Sequence, residues 1–182
     1  MRLVPAESIN SPVDPELVSK LRRGDSGALT ALYRAHGDEL LALATRLLGS
    51  HADGEDVLHD LIVGLPEAMR SYDDRGKLRA WLKQVVVRMC LLRLRSARRR
   101  NETPLDTTSL PPARATSHDT TDAIEIALRE LSPAIRAVVV LRLVEGFSHR
   151  EIAESLGIST NASEARLSRG IAALRRRLET LI

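Results

Sequence analysis

Aromatic residues and cysteine are scarce in this chain of 182 residues. It contains one Trp, two Tyr, one Phe and one Cys. A hydrophobic core must therefore be built from Leu, Val, Ile and Ala, and the abundance of Leu and Ala favours helix. The single cysteine, Cys90, excludes an internal disulfide and suits a reducing compartment.

Long apolar runs and catalytic motifs are missing as well. No segment reaches the roughly 18 apolar residues of a membrane-spanning helix, and the start, MRLVPAESINSPVDPE, lacks the apolar stretch of a signal peptide. The sequence contains no glycine-rich phosphate loop, no Cys or His spacing typical of a metal site and no nucleophile elbow. We therefore expect a cytoplasmic protein without membrane insertion that has no catalytic residues, metal or cofactor and is not an enzyme.

Acidic residues are absent from one segment that is otherwise rich in charge. Residues 75–100, RGKLRAWLKQVVVRMCLLRLRSARRR, hold ten basic residues and no acidic ones. Residues 16–74 hold six basic and 11 acidic residues, and residues 101–182 hold ten and 11. Because a solvated helix face normally mixes both signs, the unbalanced basic segment indicates contact with a polyanion, most often nucleic acid.

The spacing of apolar residues divides the chain into two helical parts. We predict a disordered leader over residues 1–15, helices over 16–100, a linker rich in Thr, Ser and Pro over 101–121, and four helices over 122–182. No alternating strand pattern occurs. The sequence thus predicts an all-α fold of two small helical domains joined by a flexible linker.

The last two predicted helices have the pattern of a helix-turn-helix. Ser148 and Glu151 form a predicted capping box, and Gly157 ends that helix. The next helix is capped by Ser159, Thr160 or Asn161. An apolar stripe predicted to face the core runs along it, formed by Leu167, Ile171, Leu174 and Leu178.

Two stretches of motif carry a family resemblance. The first, HADGEDVLHDLIVGLPEAMRSYDDRGKLRAWL, is similar to a D-A-E-D-L-V-Q-E run followed by R-x-W-L. The second, LSPAIRAVVVLRLVEGFSHREIAESLG, follows L-P-x-x-x-R, V-x-x-L-R and E-G-x-S-x-x-E-I-A-x-x-L-G. In order and spacing the chain resembles the extracytoplasmic-function (ECF) group of bacterial RNA polymerase sigma factors, over residues 17–100 and 122–180. Residues 16–100 resemble sigma region 2, and residues 122–182 resemble sigma region 4.

The resemblance implies a protein that binds core RNA polymerase, directs it to promoter DNA and helps to open the minus-ten region. It also implies an anti-sigma factor as a partner. The family's polymerase-docking helix corresponds to the segment with Asp56, Leu58, Asp60 and Leu61. The two carboxylates lie four residues apart on one helix face, where they can pair with arginines.

The resemblance assigns two sets of residues to DNA. The minus-ten element would be contacted by the phosphate-binding residues Arg75, Lys77, Arg79, Lys83 and Arg88, and by Trp81, which can stack on a base or brace the helix core. In the helix-turn-helix, Arg136, Arg150 and Arg166 would clamp phosphates, while Asn161 and Arg169 would contact base edges or phosphates. The same minus-thirty-five surface is expected to include Thr160, Glu164, Ala165 and Ser168.

The chain departs from the family pattern at several positions. Ile62 and Pro66 stand where relatives often have aromatic residues, and Arg88 and Leu92 where they often have Asn and Asp. With few rings to stack on bases, we expect promoter opening to be weak or to be restricted to a narrow set of sequences.

Two further departures fall in the last helix. Ser163 replaces a common valine and should weaken the seating of the first turn of this helix. Glu164 replaces a common lysine, and it can complete a capping box with Asn161 or accept a hydrogen bond from a cytosine amino group.

Two other functions fit parts of the sequence. The chain could be a sigma-like regulator that binds an anti-sigma protein or polymerase without initiating transcription. It could also be a plain helix-turn-helix transcription factor with a sensing or dimerising front domain. The acidic helix followed by an all-basic one argues against the last alternative.

Overall fold

The computed structural model describes residues 15–72, 77–101 and 120–181. In these ranges it contains eight α-helices and no strand, which confirms the all-α prediction. The helices are α1 (Pro15–Arg22), α2 (Ser26–Leu48), α3 (His51–Ala68), α4 (Leu78–Asn101), α5 (Thr120–Glu130), α6 (Pro133–Val139), α7 (His149–Leu156) and α8 (Thr160–Leu181). Apart from Pro15, Asn101, Thr120 and Thr121, the predicted leader and linker lie outside the described residues.

The front helices, α1 to α4, pack around a core of leucines. The side chain of Ser50 accepts a hydrogen bond from the Asp53 backbone N–H and caps α3, while Gly49, with φ of 79°, ends α2 in the left-handed region. Pro66 lies inside α3, which ends two residues later at Ala68. Fully buried side chains of this core include Leu21, Leu40, Leu43, Leu47, Leu65 and Leu82.

The rear helices, α5 to α8, contain the predicted helix-turn-helix. The Ser148–Glu151 capping box is present at the start of α7. Gly157, with φ of 64°, ends α7, and the side chain of Ser159 accepts a hydrogen bond from the Ala162 backbone N–H at the start of α8. The local signals of this motif therefore act as predicted.

The apolar stripe of α8 is only partly covered. The three leucines of the stripe are half-buried, but Ile171 is 37% exposed. The prediction that the whole stripe faces the core is therefore wrong at Ile171. In the described ranges α8 packs mainly against α5, α6 and α7, and Ile171 lies on the side of α8 that borders an open groove. A π-helical turn, Val140–Val144, follows α6, and its Leu143 borders an open apolar groove along α8 with Ile171, Leu174 and Leu178.

The front and rear helices contact each other. Helix α2 packs against α5 and α6, and α4 packs against α7. The buried apolar residues form one continuous cluster that includes members of both sets. Within the described ranges, no helix combines the length and apolar character that a membrane crossing needs.

Two helical glycines provide a matched test of the close crossing between α6 and α8. A Cβ at Gly170 would collide with the side chains of Val139 and Ile135, whereas a Cβ at Gly64 would have no atom within 4 Å. We expect Gly170→Ala to lower the free energy of unfolding by about 1–3 kcal/mol through overpacking. Gly64→Ala should raise it by about 0.5–1 kcal/mol because alanine favours helix. Urea denaturation measures both, and a stabilised Gly170→Ala protein would contradict the crossing.

Candidate nucleic-acid and polymerase interfaces

The recognition face predicted on α8 is open to solvent. Its exposed residues are Thr160, Asn161, Glu164, Ala165, Ser168 and Arg169. Arg169 Nε donates to the Ala165 carbonyl oxygen at 3.2 Å, which holds the guanidinium along its own helix. On α7, Arg150 is exposed and donates to Glu154 at 3.2 Å. Arg166 is half-buried and lines a groove between α4 and the rear helices.

Arg136 is not on this surface. It is 5% exposed, and its guanidinium donates to the carbonyl oxygens of Leu47 at 3.3 Å and Leu48 at 2.6 Å, the last residues of α2. It also donates to the carbonyls of Arg129 at 3.1 Å and Leu131 at 3.4 Å. Burial lowers the pKa of the guanidinium. Its predicted role as a phosphate clamp is wrong in this structure, because Nε and both Nη atoms of the guanidinium donate to backbone carbonyl oxygens inside the protein.

The first turn of α8 contains both residues that depart from the family pattern, Ser163 and Glu164. Ser163 is fully buried, and its hydroxyl lies 3.0 Å from His149 Nδ1, so the position is occupied by a polar link between α7 and α8. Because Ser159 is the cap, the third residue after it is Ala162 and not Glu164. The capping box suggested for Glu164 with Asn161 is therefore not formed, and the Glu164 carboxylate is exposed.

The predicted docking helix, α3, splits its four assigned residues between surface and core. Asp56 and Asp60 are exposed, but Leu58 and Leu61 are only 4% and 2% exposed. The assignment of these two leucines to a polymerase surface is wrong in this structure, because both pack in the front core.

Two residues that the sequence reasoning missed complete the exposed face of α3. His59 and Val63 are both exposed, and Val63 is 68% exposed. They lie three and seven residues after Asp56, so the helical repeat could have identified them.

A basic residue of α4 spans the two carboxylates of α3. Arg93 Nη1 lies 3.3 Å from Asp56 Oδ2, and Arg93 Nη2 lies 2.9 Å from Asp60 Oδ2. The basic block was evident in the sequence, but no local signal distinguished Arg93 from its neighbours. The acidic pair on α3 is thus already held by an arginine of the same chain.

Two of the predicted minus-ten residues belong to an internal charge network. Arg79 makes two hydrogen bonds with Glu39, at 2.6 and 2.7 Å. Lys83 Nζ lies 2.8 Å from Glu39 and 3.0 Å from Glu145. The hydrogen bond from Arg79, assisted by Lys83, lowers the pKa of Glu39 to about 2. Burial acts to lower the pKa of Lys83, but its two carboxylate partners outweigh burial and raise it.

The other minus-ten residues have different surroundings. Trp81 is half-buried, and its ring lies 5.2 Å from that of Tyr72 at an interplanar angle of 58°, so it braces the start of α4. Lys77 and Arg88 are exposed. Arg75 lies outside the described residues.

The chemistry available in these surfaces is recognition by charge and hydrogen bonding. Among the described residues, no three His, Cys, Asp or Glu side chains come together as a metal site would require. Cys90 is fully buried, and burial raises the pKa of its thiol to about 12. It is therefore a core residue and not a reactive thiol.

The Glu39 network makes a specific contribution to acid stability. Because the folded-state pKa of Glu39 lies below its usual value, its pairing stabilises the fold above pH 4.5, and this contribution is lost as the pH falls towards 2. We expect Glu39→Gln to be less stable than the unmodified protein at pH 6, with the difference shrinking between pH 4.5 and 2. Urea unfolding across this range measures it; a constant difference would contradict the pairing.

Comparisons with known proteins agree with the two-domain organisation. The family profile of Sigma-70 region 2 matches residues 32–100, and that of Sigma-70, region 4 matches residues 121–174. The sigma factor RpoE of Bartonella quintana, solved in complex with the anti-sigma factor NepR, has a TM-score of 0.56 and 23% identity. The likeness covers 82% of this chain and 96% of that one, and it shows a shared fold.

Similar sequences extend over nearly the whole chain. The ECF RNA polymerase sigma factor SigM of Mycobacterium tuberculosis is 30% identical over 165 residues, or 91% of this chain and 84% of the relative. SigL of the same organism is 31% identical over 170 residues, or 90% and 96% of the two chains. With both sigma regions in the expected order, this chain belongs to the family of ECF RNA polymerase sigma factors.

Proposed function

We propose that this protein is a promoter-specificity subunit for transcription initiation, which binds core RNA polymerase and directs it to particular promoters. The observation that carries the proposal is the exposed polar face of α8 in a helix-turn-helix, in a chain whose other domain contains the all-basic helix α4. The protein's role is recognition and not catalysis, and it would act in the cytoplasm, where polymerase and DNA are found. An anti-sigma protein would control its availability.

The rear domain, over residues 122–182, would bind the minus-thirty-five element with α8 in the major groove. Asn161 and Arg169 are placed to contact base edges, and the exposed Arg150 to contact phosphate. Glu164 can accept a hydrogen bond from a cytosine amino group and so set an unusual preference at one position. Arg136 has no part in this surface while it remains buried between the domains.

The front domain, over residues 16–100, would bind polymerase and the minus-ten element. We assign the polymerase contact to the exposed face of α3, formed by Asp56, His59, Asp60 and Val63. Helix α4 would bind the minus-ten element. Residues 101–121 would join the two domains. Because Ile62 and Pro66 stand where relatives often have aromatic residues, opening should be restricted to a narrow set of promoters.

Run-off transcription with core polymerase from the promoter of its own operon tests this function. A specific transcript is expected only when the protein is added. Core binding without a transcript would instead indicate a sigma-like regulator. DNA binding without core binding would indicate a plain helix-turn-helix factor.

Charge reversal on α3 tests the polymerase contact. We expect Asp60→Lys to weaken core binding about tenfold or more, or roughly 1.4 kcal/mol, because it replaces an attractive charge by a repulsive one. Asp38→Lys is the matched control, since Asp38 is an exposed acid of α2 and lies outside the assigned face of α3. Binding of labelled core polymerase measures both variants; equal affinity for Asp60→Lys and the unmodified protein would remove α3 from the interface.

Removal of a side chain from α8 tests the DNA-contacting face. Arg169→Ala should reduce discrimination between the minus-thirty-five element and altered sequences by about 1–3 kcal/mol, because it loses a contact to a base edge. Arg175→Ala is the control, since Arg175 borders the apolar groove on another side of the helix. Competition binding with mutated promoters measures selectivity, and unchanged selectivity in Arg169→Ala would exclude this residue from sequence recognition.

A further inference from the structure

Arg22, the last residue of α1, holds the turn that follows α3. Its neighbour Leu21 is fully buried in the front core, and α1 packs against α3 and this turn. Arg22 Nε donates a hydrogen bond to the Met69 carbonyl oxygen at 3.1 Å, and Arg22 Nη2 donates one to the Tyr72 carbonyl oxygen at 2.8 Å. A single guanidinium thus binds both ends of the turn, 47 and 50 residues farther along the chain.

The way in which α3 ends explains why a guanidinium suits this place. Helix α3 passes at Ala68 into one turn of 3-10 helix, Met69–Ser71. Carbonyl oxygens at the end of a helix lack some of their backbone partners and carry partial negative charge, which favours a cation. The planar guanidinium offers several N–H groups at fixed angles, so Arg22 binds two oxygens at once in a way that a lysine ammonium matches less well.

The turn that Arg22 holds also carries a ring that packs on the start of α4. Tyr72 is 4% exposed, and its ring lies 5.2 Å from that of Trp81. The backbone N–H of Trp81 donates to the Lys77 carbonyl oxygen at 2.9 Å, so both residues belong to the beginning of α4. Arg22 is therefore connected, through Tyr72, to the end of α4 where Lys77 and Trp81 are assigned to minus-ten DNA.

The scarcity of aromatic residues gives this ring pair particular weight. The chain has one Trp, two Tyr and one Phe, so Tyr72 and Trp81 are two of its four aromatic side chains. Because bases are held outside the duplex mainly by stacking on rings and by charge, the orientation of each ring matters more when rings are few.

We infer that Arg22 is a positioning residue for promoter opening. By holding the carbonyl groups of Met69 and Tyr72, it keeps Tyr72 against Trp81 and fixes the start of α4 in the arrangement that binds the minus-ten element. The inference rests on the proposed function, since it concerns how the front domain binds minus-ten DNA. Arg22 lies before residues 32–100, which the Sigma-70 region 2 profile matches, so the inference gives a role to a helix outside the matched residues.

Two neighbouring arginines provide a matched test. Arg22→Met removes both hydrogen bonds and keeps a long side chain that favours helix. Arg23→Met is the control, because it removes an equal charge one residue later, where Arg23 donates locally to Ser19 Oγ at 2.7 Å. Arg22→Lys keeps the charge but lacks the planar fork, so its effects should lie between those of Arg22→Met and the unmodified protein.

The first measurement is the fluorescence of Trp81, the single tryptophan of the chain. Release of the turn should expose its ring, so Arg22→Met is expected to shift the emission to longer wavelength and to increase quenching by acrylamide. Arg23→Met should match the unmodified protein. Thermal unfolding of each variant is followed first, and quenching is measured in the full chain below all the transitions. Equal quenching in Arg22→Met and the unmodified protein would overturn the inference.

The second measurement is promoter opening, detected as permanganate reactivity of thymines in the minus-ten region of the protein's own operon. Core polymerase is titrated in parallel, and opening is compared at saturation of each variant. We expect Arg22→Met to lower the opened fraction about three- to tenfold, through the loss of partly exposed hydrogen bonds from a charged group. Core affinity should stay unchanged, because the exposed face of α3 does not include this turn.

The other outcomes separate the inference from the proposed function. Altered Trp81 fluorescence with unchanged opening would make the Arg22 contact purely structural and overturn the inference. An equal loss of opening in Arg23→Met would assign the effect to net charge, and a parallel loss of core affinity in Arg22→Met would assign it to the fold of the domain; both overturn it. If the unmodified protein with core polymerase yields neither a transcript nor reactive thymines, the proposed function fails, and the inference fails with it.

Discussion

A buried guanidinium joins the two halves of this protein. Arg136 belongs to the rear domain and donates four hydrogen bonds to backbone carbonyl oxygens. Two of these oxygens lie at the end of α2, one lies at the end of α5, and one lies just beyond α5. An unpaired buried cation costs several kcal/mol, so these partners are required. Both helix ends carry partial negative charge, which favours the cation. The left-handed glycine at position 49 follows from the same requirement, since a side chain there would occupy the site of the guanidinium.

Three basic residues of α4 form ion pairs with acids of the same chain. Arg79 and Lys83 share Glu39, Lys83 also reaches Glu145, and Arg93 spans the acidic pair of α3. These pairs are partly exposed, so solvent screens them and each is weakly stabilising. Surfaces with such pairs can exchange an internal partner for an external one at small cost. Arg79, Lys83 and the Asp56–Asp60 pair, which the proposed function would place on nucleic acid or polymerase, are paired internally in this structure.

Features governed by neighbouring residues were predicted from the sequence. Ser148 and Glu151 form their capping box, and Gly157 adopts the left-handed conformation that ends α7. Asp56 and Asp60 share a face because they lie four residues apart. For the N-cap of α8 the sequence offered three candidates, Ser159, Thr160 and Asn161. The structure shows that Ser159 is the cap, so Glu164 is too far along the helix to complete a capping box.

Features that depend on distant residues were not predicted. The helix-turn-helix, the basic helix and the helical core follow from the sequence alone, because caps, helical repeats and local charge act within a few positions along the chain. The tertiary structure decided that Leu58 and Leu61 are core residues and that Arg136 is buried. It also decided which partner each basic residue meets, as in Arg79 with the Glu39 carboxylate, 40 residues away, and Arg136 with the Leu48 carbonyl oxygen, 88 residues away. Such partners are set by how helices pack, and packing joins residues whose separation along the chain carries no local signal.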